Sequence, residues 1–138
     1  MNKHFALGLT LVFTSPMALA DGHGHSHEAA LEAAPHGGVL RDAPPYKAEL
    51  VLNGDNAKLY VYDKALQPVV LDHAAIRGNL QFPRQSKKTV VTFTRAESGA
   101  YYAAKLAGIS KTHRYDLHIT LEVGAEKVLA DFGVDNIH

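Results

Sequence analysis

From Val39 onward the chain carries no long helical face: apolar residues recur at every second position in short runs, and Gly, Asn, Asp or Pro interrupts the runs. A period of two places those residues on one side of a β-strand, whereas a helix would need them three and four apart. The alternation predicts strands near residues 46–52, 57–63, 69–71, 76–82, 88–95, 100–106, 114–123 and 126–132. It is clearest where Ile76, Leu80 and Phe82 oppose Arg77, Asn79 and Gln81, where Val91 and Phe93 oppose Thr92 and Thr94, and where Tyr115, Leu117, Ile119 and Leu121 oppose Asp116, His118 and Thr120. Asn53-Gly54-Asp55-Asn56, Glu97-Ser98-Gly99 and Gly124-Ala125 supply the turns between them. One-sided faces of this kind suit two packed antiparallel layers, so the expected fold is all-β, an immunoglobulin-like antiparallel β-sandwich of seven or eight strands. Tyr115, at the head of a late strand, is read either as a corner tyrosine of such a sandwich or as a half-buried strand residue.

Ahead of the strands lie two segments of different character. Residues 1–20 have the parts of a cleavable signal peptide: Lys3 in a short polar start, an apolar run from Phe5 to Phe13, and Ala18-Leu19-Ala20 as a small-x-small cleavage site. The run is shorter than the ~20 apolar residues of a spanning helix, and Thr10, Thr14, Ser15 and Pro16 interrupt it. The expected mature protein begins at Asp21, is soluble and periplasmic, and does not insert into the membrane after cleavage. Cleavage would leave 118 of the 138 residues, a length for one domain. The chain carries 14 Lys and Arg against 14 Asp and Glu, so loss of Lys3 gives a mature net charge of −1. That balance argues against nucleic acid and against an acidic membrane surface as partners. With no cysteine, the fold has no disulfide to lean on.

Residues 21–38 contain His, Gly, Ala and Glu with Leu31 as the one large apolar side chain, too little to form a core, and read as a flexible histidine-rich tail before a β-sandwich domain at 39–138. The tail opens Asp21-Gly22-His23-Gly24-His25-Ser26-His27-Glu28, three imidazoles at i, i+2 and i+4 with a carboxylate beside the last. Neutral imidazole is the commonest protein metal ligand, and the glycines leave the backbone free to wrap an ion. Both methionines, Met1 and Met17, fall in the leader, so only nitrogen and oxygen donors remain. These suit Cu(II), Zn(II), Ni(II) or Co(II) and disfavour Cu(I), with Cu(II) favoured in vitro by the Irving-Williams order. If processing frees the amine of Asp21, that amine, the amide nitrogens of Gly22 and His23, and the His23 imidazole form a square of four nitrogens. The arrangement resembles the amino-terminal X-X-His motif for Cu(II) and Ni(II). His25, His27, Glu28 and His36 complete the expected metal ligands. His36 is read either as a fixed ligand where the tail meets the domain or as an inconsequential linker residue.

Pro35-His36-Gly37-Gly38-Val39-Leu40, followed by Tyr46-Lys47-Ala48-Glu49-Leu50-Val51, by Leu59-Tyr60-Val61-Tyr62-Asp63 and by Pro68-Val69, is similar to small periplasmic domains associated with heavy-metal efflux systems and to segments that precede the adaptor proteins of such pumps. The resemblance covers residues 35–71. It implies a periplasmic metal-handling role with a component of a heavy-metal efflux system as partner. The hairpin and barrel parts of an adaptor are not found here, which leaves direct assembly with a pump open.

Elsewhere Asp116 and His118 stand two apart on the outward face of one strand, about 6 to 7 Å along it, and Asp135 and His138 lie near the chain end; each pair is a weaker candidate for a second metal site. His73 and His113 carry no expectation. There is no His-Glu-x-x-His, Gly-x-Ser-x-Gly, phosphate-cradling glycine loop or thiol nucleophile, so no enzymatic activity is expected. The sequence therefore predicts a periplasmic protein that binds a divalent transition metal and buffers or delivers it to an export or resistance system. The rival reading is a metal-independent interaction module whose tail is a tether, since sandwiches host many functions.

Overall fold

The computed structural model describes residues 32–135, which contain no α-helix. Eight strands, β1 (Val39–Ala43), β2 (Tyr46–Asn53), β3 (Asn56–Tyr62), β4 (Ala75–Gln81), β5 (Thr89–Arg95), β6 (Tyr102–Lys105), β7 (Arg114–Val123) and β8 (Glu126–Asp135), are joined antiparallel in the order β1-β2-β3-β6-β5-β4-β7-β8. The fold is thus all-β, as the alternation requires. β5 belongs to both halves, pairing β6 on one side and β4 on the other. β1 comes alongside β8, so the sheet nearly closes on itself. An immunoglobulin domain groups its strands A-B-E-D and C-F-G; the connectivity here is instead a three-strand meander continued through β6.

Burial follows the period of two. Ala48 and Leu50 of β2, Ala57, Leu59 and Val61 of β3, Ile76 and Leu80 of β4, Val91 and Phe93 of β5, and Tyr115, Leu117, Ile119 and Leu121 of β7 all join one cluster with Val128, Ala130 and Phe132 of β8. Gly78 fills the gap in the β4 row: a Cβ there would stand 3.0 Å from Leu117 and 3.3 Å from Phe93, so the absent side chain is what lets those two large residues meet over the strand.

Two elements differ from the sequence reading. The segment 69–71 forms no strand; it is held by an isolated bridge between Tyr62 and Pro68 and by the Val69 N–H bonded to the Val61 carbonyl. Left-handed backbone at Leu66 and His73 turns the chain on either side, so no ladder can extend. Conversely β1, which the alternation misses, pairs β2 from Val39↔Leu50 to Ala43↔Tyr46 across the two-residue Pro44-Pro45 connection. Its Arg41 and Asp42 interrupt the apolar pattern, and only Ala43 is fully buried.

The turn between β2 and β3 is braced from outside. The Asp55 carboxylate accepts the Gly108 N–H (3.2 Å), the Ser110 N–H (2.9 Å) and the Ser110 hydroxyl (2.7 Å). The Asp55 carbonyl accepts the Leu106 N–H at 2.7 Å. The Ser110 bonds lead in holding the Asp55 carboxyl down to about 2, from an ordinary 3.8. Tyr115 is buried without such company. It is 1% exposed, its hydroxyl has no partner among the described residues, and burial raises its pKa. The bond of a corner tyrosine is therefore not made.

Two outcomes follow for stability. Because an unsatisfied buried hydroxyl costs of order 1–3 kcal/mol, Tyr115→Phe is expected to leave the protein at least as stable, with a gain of up to about 1 kcal/mol in urea unfolding; a clear loss would show that the hydroxyl is bonded in solution. For Asp55 the folded pKa lies below the unfolded one, so its stabilisation is complete above about pH 3.8 and disappears as the pH falls toward 2. The stability gap between the wild type and Asp55→Asn should close over that interval, and a gap independent of pH would contradict the assignment.

Candidate functional site

Alternation along β2 turns Glu49 away from the core, between Leu40 of β1 and Tyr60 of β3. A carboxylate there would ordinarily stand in water, yet Glu49 is 0% exposed, the one buried charged residue among those described. The cover is the segment just before β1. Pro35 presets the second position of a turn in which the Gly37 N–H bonds the Ala34 carbonyl at 3.0 Å. Gly37 then takes a φ of +72°, open to glycine at little cost. Gly38 lies so close to β2 that a Cβ would stand 2.4 Å from the Leu50 carbonyl oxygen and 2.8 Å from Val51 Cγ2. Only glycine permits this approach without displacing the segment.

The approach brings backbone donors to the carboxylate. Glu49 Oε2 accepts the N–H of His36 at 2.9 Å and of Gly38 at 2.8 Å, while Oε1 accepts the Tyr62 hydroxyl at 2.7 Å. The His36 ring nitrogen Nδ1 lies 3.1 Å from Oε1 and 2.7 Å from the Tyr62 oxygen. These contacts assign the tautomer. A carboxylate only accepts, and the single Tyr62 proton is committed to Glu49, so Nδ1 must carry a hydrogen and donate it. In the neutral ring, Nε2 is therefore the nitrogen with a free lone pair. The ring itself lies flat on Tyr60, centroids 3.7 Å apart and planes 12° from parallel, and its side chain is 44% exposed.

The charge on Glu49 is sustained by these donors. Burial pushes its pKa up, but the Tyr62, Gly38 and His36 bonds together outweigh burial and leave it below the ordinary 4.5. Burial, and then the bond to Glu49 and its charge, drive the Tyr62 phenol well above its usual range, so it remains a donor.

Of the ligands expected from sequence, Asp21, Gly22, His23, His25, His27 and Glu28 lie outside the described residues, as does His138. His36 is described, and although composition places residues 36–38 with the tail, they are tied to the sheet. His118 does not turn to Asp116: its Nδ1 pairs with Asp131 Oδ1 at 2.6 Å, straight across the β7–β8 ladder on an exposed face. No three His, Cys, Asp or Glu side chains form a group able to hold a metal ion among the described residues. Sequence reasoning did not assign functions to Glu49, Tyr60 and Tyr62. A usable signal was present in Pro-His-Gly-Gly, a turn whose bare N–H groups need an acceptor, followed by outward-facing residues at alternate positions of the next two strands.

No protein-family model, curated protein or solved structure matches the chain.

Replacing Glu49 by Gln keeps its size but sets an NH2 against the donors of His36, Gly38 or Tyr62. Since hydrogen bonds to charged groups are worth about 1.5–3 kcal/mol, Glu49→Gln should cost about 2 kcal/mol or more in denaturant unfolding. Glu49 has a depressed pKa, so the cost should be full above about pH 4.5 and shrink as the wild-type carboxylate protonates below it. In 15N NMR the His36 ring should also lose its Nδ1–H preference in the variant. An unchanged tautomer would show that Glu49 does not set it.

Proposed function

We propose that this protein binds a divalent transition metal, Cu(II), Zn(II), Ni(II) or Co(II), as cargo and works as a periplasmic buffer or carrier for an export or resistance system. The observation that carries the reading is the state of His36. Its Nδ1–H is held by the buried Glu49 carboxylate and its Nε2 is left as a donor nitrogen at an exposed ring. A carboxylate behind an imidazole fixes the ring and its tautomer, the usual support of a metal-ligating histidine. One nitrogen does not make a strong site. The expected remaining donors are the histidines and the free amine of residues 21–28, read from the sequence. The resemblance of residues 35–71 to domains of heavy-metal efflux systems adds to this reading.

Imidazoles bind metal only when deprotonated, and their reference pKa is ~6.5, so affinity should fall steeply in mild acid. Isothermal titration with Cu(II), Ni(II) and Zn(II) tests the proposal on the chain beginning at Asp21, a form beginning at Pro35, and the variants His36→Ala and Glu49→Gln. The longer form should bind more tightly than the shorter, with Cu(II) strongest and a square-planar spectrum that His23→Ala abolishes. Glu49→Gln should weaken the contribution of His36 by about tenfold or more, as loss of a ligand's supporting carboxylate does. Equal, weak binding by the long and short forms would overturn the proposal.

A further inference from the structure

Beside His36 the outward faces of β2, β3 and β6 enclose a groove of about 740 Å³, within the range of small-molecule sites. Its shape follows from register. Tyr101, Ala103 and Lys105 stand at alternate positions, and Ala103 lies opposite Lys58 of β3. The short alanine between two long side chains opens the trough. One end is walled by rings: His36 lies on Tyr60, and Tyr60 meets Tyr101 at 5.6 Å and 48°. Lys58 and Lys105 complete the lining.

The charge of this trough is not balanced. Lys58 Nζ rests 4.7 Å from the centre of the Tyr101 ring. Neither it nor Lys105 has a carboxylate within ion-pair distance among the described residues. Glu49, adjacent to the ring wall, is 0% exposed and saturated by its donors, so it presents no oxygen to the groove. Asp55 gives Lys105 a distant field, but its oxygens are occupied by Gly108 and Ser110. Two cations and a face of aromatic rings thus line a concave space with no exposed carboxylate among the described residues. Such a lining suits a negative group attached to a flat body. Tyr60 and Lys58 are two residues apart on one face of β3, about 7 Å, and the level of Lys105, opposite Asn56, is about 7 Å further on. The Lys58 ammonium lies over the Tyr101 ring, beside the aromatic wall, so a single planar ring carrying one carboxylate can meet both the wall and the charge.

We propose that this groove is a binding site for a small organic anion with a flat, unsaturated body, its ring against Tyr60 and Tyr101 and its carboxylate at Lys58. The site shares its His36 wall with the proposed metal ligand, but its contacts are the sheet face and its lysines, and it needs no metal ion.

The test is an NMR titration of the untagged protein, stripped of metal on a chelating resin. The probes are benzoate, cyclohexanecarboxylate of equal charge without a flat face, and benzyl alcohol with the ring but no charge. Benzoate should give saturable shifts at Tyr60, Tyr101 and Ala103 and bind more tightly than either control. Lys58→Gln should weaken it by about tenfold, the loss of one charge-assisted hydrogen bond. Lys127→Gln, on β8, should leave it unchanged. Equal binding of the three probes, shifts centred elsewhere, or an equal effect of Lys127→Gln would overturn the proposal. So would an acidic peptide that occupies the same residues more tightly than benzoate, which would make the groove a polypeptide site. A metal-binding failure in the preceding titration would leave this result untouched.

Discussion

A carboxylate taken out of water on the outer face of a sheet governs the segment that leads into β1. The desolvation of such a charge costs several kcal/mol unless its oxygens are met by well-placed donors. Glu49 is met by four: two backbone N–H groups, a phenol and an imidazole N–H. That demand draws the chain before β1 back over the sheet, requires glycine at 38, orients the ring of His36 and decides which of its nitrogens is left free. Through the stack of His36 on Tyr60 it also raises the end wall of the neighbouring groove. The local order of residues 34–38 is therefore a consequence of one buried charge.

The contrast with His118 shows how much burial contributes. Both histidines offer Nδ1 to a carboxylate, and the His118 pair is the shorter at 2.6 Å. Yet His118 and Asp131 are more than half exposed, at 52% and 71%, and pairs in that setting contribute little and are screened by salt. Glu49 excludes solvent and accepts three further donors, so its hold on His36 constrains the ring as well as its protonation. The same two functional groups form a positioned donor in one place and an ordinary surface contact in the other.

Strand positions were legible in the sequence wherever apolar residues alternated without interruption, as in β4, β5 and β7, because burial on one face leaves a period of two that composition cannot hide. β1 was not, since its residues between Val39 and Ala43 are only partly covered and the pairing with β2 comes from backbone hydrogen bonds that leave no apolar signature. The order of strands was likewise invisible to a local reading: that β3 turns to β6 depends on contacts between residues more than 40 apart in the chain. In the site, His36 and its glycines could be singled out as a turn of unusual composition. Their acceptor, Glu49, was marked only as part of the efflux-like segment and given no role, because an outward glutamate on a strand reads as a solvated residue until something is known to cover it.

The near closure of the sheet bears on how this domain can meet other molecules. An open sheet has two free borders whose unpaired N–H and C=O groups invite strand addition by any extended peptide. Here the two terminal strands of the sheet, β1 and β8, come alongside one another, though no ladder joins them among the described residues, which narrows the space for an incoming strand. The face that carries the buried glutamate also carries the rings and the lysines, which concentrates these groups on one side of the wall.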